Sequence, residues 1–198
     1  MPVIELQTRI DAPVERVFDL ARNIDLHIDS AGATGERAVA GVTSGLIGLG
    51  DTVTWRARHF GVWQHLGVRI VAFERPRFFR DEMLTGAFRS MAHDLLFEAS
   101  DDGERTTMRD VFRFEAPLGP LGRLAESLFL TRYMQAFLIE RNRVIKATAE
   151  SEAWRRYQGP WSRKRQLLPQ QERLRRAGPM VATPRRPRWS GSRPAEPP

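Results

Sequence analysis

No cysteine occurs among the 198 residues, which excludes disulfides, thiolate metal sites and thiol nucleophiles. Long apolar runs are missing too, and nothing approaches the ~18 consecutive apolar residues of a membrane-spanning helix. The opening MPVIELQTRI places charged residues where a secretory signal needs an apolar stretch. A cytoplasmic protein without a transmembrane segment is therefore expected. Signatures of phosphate binding and hydrolysis are also lacking. GLGDTV at 48–53 begins like a dinucleotide fingerprint but has no third glycine and runs into a strand pattern. VTSGLIGLG lacks a Gly-Lys-Ser/Thr ending, and Ser44, Ser90 and Ser127 sit in no Gly-x-Ser-x-Gly elbow. With no spacing of the HExxH kind, neither a metal nor a cofactor is expected.

Charge is what the chain has in an uneven distribution. Residues 1–150 carry 19 Lys+Arg against 21 Asp+Glu, a net of −2. Residues 151–198 carry 12 against 3, a net of +9, and eight of the 13 prolines. The basic character thus belongs to the last quarter, whose composition cannot bury enough apolar surface to offset ordering entropy. The expected organisation is one folded domain over 1–150 and a disordered Pro/Arg-rich tail over 151–198. Trp154, Trp161 and Trp189 lie among the tail's arginine clusters. Such a mixture suits either plain solvation or contact with nucleic acid or an anionic membrane.

Within the folded part, residues 3–10 alternate apolar and polar and predict a strand. Asp11-Ala12-Pro13 then opens a helix with Val14, Val17, Phe18 and Ala21 on one face, followed by a short helix over 24–30. From there to Pro117 the period is two. Strands are predicted at 36–40, 51–60, 62–73, 78–85, 91–99 and 105–115, with a glycine-rich loop over 41–50. That loop is either a lip beside a cavity or a hairpin needing positive φ. Short turns at Gly61, Arg75-Pro76, Gly86 and 101–103 favour antiparallel hairpins. Residues 121–147 read as one long helix. Its apolar faces differ: Leu121, Leu124, Ala125 and Leu128 on one side, Leu130, Met134, Phe137, Leu138 and Ile145 largely on the other, so either the helix bends near Phe129 or its first turns cover a cavity mouth while the rest packs on the sheet. The fold class is α+β: a curved antiparallel sheet of six to seven strands around a long C-terminal helix, with one or two short helices after the first strand.

Alternation also assigns inner faces. Val53, Trp55 and Ala57 carry His59 inward, and Leu66, Val68 and Ile70 carry Gln64. Phe79 and Met83 share a face with Asp81, Leu95 and Phe97 with His93, and Met108, Phe112 and Phe114 with Asp110. Buried carboxylates are unfavourable unless paired. The polar set is either a structural hydrogen-bond network between strands or the polar end of an apolar pocket. A bulge would reverse any of these assignments.

Three segments then bear a family resemblance: APVERVFDL, HFGVWQHLGVRI running into FERPRFFRDEMLTGAF, and PLGPLGRLAESLFLTRYM leading into the last helix. Over about residues 2–148 the chain resembles the SRPBCC (START-like) superfamily, which includes polyketide cyclases and coenzyme Q-binding proteins. Within it the chain is most similar to a bacterial cyclase-like, cell-division-inhibitor-like group. The resemblance implies a helix-grip fold with a hydrophobic cavity between sheet and long helix, without implying one activity. That group often has an HxH pair on the strand of His93, where this chain has Leu95 in the second position.

The expected function is binding of a lipid-like or polycyclic hydrophobic molecule. The expected site residues are Val53, Trp55, His59, Gln64, Phe79, Asp81, Met83, His93, Phe97, Asp110, Phe112, Met134 and Phe137. The alternatives are a cyclase or dehydratase acting on a polyketide-like substrate, and an interaction module working through the tail. In the enzyme, His59 or His93 would be the general base and Asp81 or Asp110 would orient it.

Overall fold

A computed structural model describes residues 2–59, 61–116 and 129–157. Strand β1 (Val3–Ile10) leads into helices α1 (Val14–Ala21) and α2 (Ile24–Ser30) and a 3-10 turn at Gly32–Thr34. The strands β2 (Arg37–Gly41), β3 (Thr52–His59), β4 (Val62–Glu74), β5 (Phe78–Thr85), β6 (Ser90–Ala99) and β7 (Thr106–Glu115) follow. Helix α3 (Thr131–Ala149) and a 3-10 segment (Glu152–Tyr157) complete the described chain. All strand pairs are antiparallel, in the order β1-β7-β6-β5-β4-β3-β2. Consecutive strands from β2 to β7 are neighbours, as short turns dictate, and β1 closes the far edge beside β7. The curved antiparallel sheet with its long C-terminal helix is the helix-grip architecture anticipated from the sequence.

Helix α1 forms because its apolar residues recur at helical spacing behind Pro13. Val17, Phe18, Leu20 and Ala21 are buried. Phe18 sits edge-on to Phe73, Phe79 and Phe97, with ring centroids 5.3, 5.5 and 5.1 Å away. This cluster fastens α1 to the sheet, and edge-on rings add to what area burial alone supplies. Asn23 separates the two helices. Its Oδ1 accepts from the Leu26 N–H at 2.9 Å, capping α2, while its Nδ2 donates to the Tyr157 carbonyl at 3.1 Å.

Strand β4 holds the feature that periodicity alone misplaces. Its register with β5 shifts between Ile70 and Ala72, leaving Val71 as an extra residue. Val68 and Ile70 face inward before the bulge, and Phe73 packs on the core after it, so the inward parity changes from even to odd.

The glycine-rich loop over 41–50 has positive φ at Gly41, Gly45 and Gly50. At Gly41 a Cβ would lie 2.1 Å from the Thr52 carbonyl oxygen, so no other residue fits. The loop is also pinned to the α1–α2 junction. Ile24 N–H donates to the Gly45 carbonyl at 2.9 Å, Arg22 Nη1 to the Ile47 carbonyl at 2.9 Å, and Gly45 N–H to Asp25 Oδ2 at 2.8 Å. Both anticipated roles coincide here, since Ile47 is buried and borders the cavity described below.

Two boundaries differ from the sequence reading. The helix predicted over 121–147 extends to Ala149, and its described part enters through two residues of π-type backbone, Phe129 and Leu130. Leu121, Leu124, Ala125 and Leu128 lie outside the described residues. The folded part does not end at residue 150 either. Trp154 and Tyr157 pack against the core, Arg16 lies 4.4 Å over the Trp154 ring, and Tyr157 donates to Asp29 Oδ2 at 2.5 Å. Charge density misplaced this boundary, because the arginines of 155 and 156 are exposed while the two aromatic rings beside them supply the packing. The rest of the expected tail, 158–198, with Trp161 and Trp189, lies outside the described residues, as does the partner surface expected of it. No described helix is long and apolar enough to cross a membrane.

Candidate functional site

The sheet register aligns the polar residues of three strands. Asp81 on β5 stands opposite His93 on β6, and His93 stands opposite Phe112 on β7. Asp110 is two residues along β7, on the same face, so its carboxylate reaches the imidazole diagonally. The bond from His93 Nε2 to Asp110 Oδ1 measures 2.9 Å. Helix α3 supplies the remaining partners. Arg141 Nη1 donates to Asp110 Oδ1 at 3.1 Å and Asn142 Nδ2 to Asp110 Oδ2 at 2.6 Å. Arg141 Nη2 also reaches the Ala21 carbonyl at 3.1 Å, binding α3 to the last turn of α1.

Each acid takes its ionisation from these neighbours. Asp110 is fully buried, which by itself would raise its pKa. The hydrogen bond and charge of His93, the charge of Arg141 and the Asn142 bond outweigh that burial and hold the carboxyl below its ordinary value. Asp81 is pushed the other way. Burial raises its pKa against the weaker pull of His93 and Arg141, and its nearest imidazole atom, His93 Nδ1, is 3.8 Å from Oδ2. In linkage terms, Asp81 ionises more readily in the unfolded chain than in the folded one. Its charge therefore opposes folding at pH 7, and this opposition fades as pH falls into its raised titration range. Asp81→Asn is expected to stabilise the domain by about 1 kcal/mol at pH 7, with a smaller gain at pH 5, in urea denaturation. An equal or larger gain at pH 5 would contradict this account.

Between sheet and helices lies a cavity of about 120 Å³. Val53, Val68, Ile70, Phe79, Met91, Phe112 and Leu138 form its apolar wall, and Asp81, His93, Arg141, His27 and Glu36 are among its polar residues. Of the residues singled out in the sequence, Val53, Trp55, Phe79, Asp81, His93, Phe112, Met134 and Phe137 border this space. The others do not. Asp110 is hidden behind His93. Phe97 belongs to the ring cluster under α1. Met83 is half-buried farther along β5, and Gln64 is half-buried opposite Ala57 near the β3–β4 turn. His59 meets the long helix instead of an acid, its Nδ1 lying 2.7 Å from the Tyr133 hydroxyl. Burial lowers its pKa, partly countered by the charge of Glu36. Among the described residues no three His, Asp or Glu side chains are grouped to hold a metal ion.

Among the cavity residues that escaped the sequence reading are Arg141, His27 and Glu36. Arg141 left a signal, because it interrupts the stripe Met134, Phe137, Leu138, Ile145 at helical spacing, and a cation there requires a buried acid. His27 follows Ile24 by three positions on α2, a weaker cue. Glu36 heads the stretch 36–40 predicted as a strand but lies just ahead of β2, and the alternation there assigned it to no inner face.

The family model for polyketide cyclase/dehydrase and lipid transport matches residues 1–150. Solved structures share the fold at low identity. The Zhui aromatase/cyclase from Streptomyces sp. R1128 is 15% identical with a TM-score of 0.60, over 75% of this chain and 93% of that one. The ginseng major latex-like protein 151 from Panax ginseng is 17% identical with a TM-score of 0.52, over 76% and 98%. A START superfamily protein from Mycobacterium smegmatis is 9% identical with a TM-score of 0.55, over 75% and 97%. No curated protein sequence matches the chain. With its strand order, its gripped helix and three-quarters of its length accounted for by one family model, the chain belongs to the polyketide cyclase/dehydrase and lipid transport family.

Proposed function

We propose that the domain binds a hydrophobic small molecule in the cavity between the sheet and α3. The observation that carries this reading is an apolar-walled space of about 120 Å³ between the sheet and the helices. Protein interiors are normally packed to crystal density, and voids that persist are few. A dry cavity of about 150 Å³ accepts benzene, so this one suits a single six-membered ring. A polycyclic or long-chain ligand would require its walls to part. The family description and the aromatase/cyclase among the similar structures support the same class of ligand.

Toluene tests the reading. Titrated into the full chain, it is expected to raise the thermal midpoint saturably and to change the fluorescence of Trp55. Val68→Phe fills the cavity and is expected to weaken that binding at least about tenfold. No saturable effect in the parent protein, or an unchanged one in the variant, would overturn the proposal.

A second reading, a cyclase- or dehydratase-type enzyme, draws on the contact between His93 and Asp110. With Nε2–H donating its hydrogen bond to the Asp110 carboxylate, Nδ1 is left as the basic atom of a residue that borders the cavity. Asp110 then fixes the tautomer and balances the imidazolium that forms when Nδ1 accepts a proton. A β-diketone probe in D₂O separates the readings: proton exchange that His93→Gln abolishes while binding persists favours the enzyme.

A further inference from the structure

We propose that Glu36 and His27 read a hydroxyl group on the bound ring, so that the preferred ligand is a phenol-like molecule. This rests on the cavity's being a ligand site. Glu36 is only 7% exposed, yet its Oε2 has no hydrogen-bond partner, and neither does Nε2 of His27. Both residues border the cavity. The two atoms are 3.4 Å apart, close enough to form an ion pair when His27 is protonated but without hydrogen-bonding geometry.

Buried polar atoms are almost always satisfied, and an unsatisfied one destabilises by the full desolvation of the group. Two such atoms side by side at the edge of an apolar space define a receptor. The His27 ring is held for the purpose by stacking on Trp55, with centroids 4.2 Å apart and planes inclined by 27°.

The spacing selects the chemistry. One oxygen placed at ordinary hydrogen-bond length from both atoms donates its proton to Glu36 Oε2. It accepts from His27 Nε2 in the tautomer that carries hydrogen there. A hydroxyl does both. An ether oxygen can only accept and leaves the carboxylate unpaired, and a methyl group leaves both atoms unpaired.

Phenol, anisole and toluene, titrated calorimetrically into the full chain, separate these cases. Glu36→Leu is expected to weaken phenol at least about tenfold, the scale of a hydrogen bond to a charged group, while toluene binds as before or more tightly. His27→Phe keeps the stack on Trp55 and is expected to weaken phenol less. Glu36→Gln, which conserves shape, is expected to show an intermediate loss and serves if the leucine variant does not fold. Phenol and toluene weakened equally by these variants, or anisole bound as well as phenol by the parent chain, would overturn the hydroxyl proposal and leave the cavity reading standing. If none of the three binds the parent chain, both fall.

Discussion

Asp110→Ala is expected to destabilise the domain by about 3–5 kcal/mol. The carboxylate is fully buried and accepts from His93, Arg141 and Asn142 at 2.9, 3.1 and 2.6 Å. Alanine would leave the guanidinium of Arg141, 7% exposed, without a counter-charge in a medium that solvates it poorly. The same logic gives a rescue. Asp110→Leu combined with Arg141→Met removes both charges and is expected to recover much of the loss, which a double-mutant cycle in urea denaturation would measure. A loss below about 1 kcal/mol, the level of an exposed ion pair, would show that the network does not tie α3 to the sheet. The pH dependence has a definite sign. Asp110 has a folded-state pKa below its unfolded one, so its contribution is complete above the ordinary carboxylate range and disappears as pH falls through the folded value. The parent chain should therefore lose stability below pH 4 more steeply than Asp110→Asn.

Phe18→Ala is expected to be of similar size, about 3–5 kcal/mol, for a reason that involves no charge. Phe18 is completely buried among three other phenylalanines, from β4, β5 and β6, and Arg22 lies 5.8 Å over its ring. Alanine would open a void bounded by rings that are anchored on separate strands and cannot all move in to fill it. The loss should stay constant as pH falls from 7 into the acid range below 4, where the Asp110 contribution disappears, and this distinguishes the two effects. Chemical denaturation of the variant beside Phe18→Leu measures the void against a better-filled replacement. A loss under about 1.5 kcal/mol would mean that α1 settles onto the sheet and closes the space.

Much of this architecture was legible in the amino-acid pattern, and the reasons differ by element. The alternation in 3–10 and 106–115 survives because β1 and β7 are regular partners without a register shift. Helix α1 was visible through Pro13 and the spacing of Val17, Phe18 and Ala21. The inward set of Asp81, His93 and Asp110 was readable for the same reason, since β5 and β6 pair without interruption around them. Which of these residues border open space was not readable, because alternation reports the face of a sheet and not its depth. Asp110 and Phe97 share the inner face with His93 but lie where helices already cover it. Glu36 was invisible, since the five-residue strand pattern over 36–40 assigned it no inner face and its burial beside His27 of α2 arises only in the tertiary fold.

The extra residue Val71 in β4 gives one strand two separate duties. Ahead of it, Leu66, Val68 and Ile70 shape the space where a ligand would lie, and behind it Phe73 belongs to the ring cluster under α1. Changes in the first half alter the shape and size of that space, which meets the ring cluster at Phe79, a member of both. Changes in the second half bear on the attachment of α1 and leave the cavity wall in place. Substitutions ahead of the bulge can thus reshape the cavity while Phe73, behind it, keeps its place under α1.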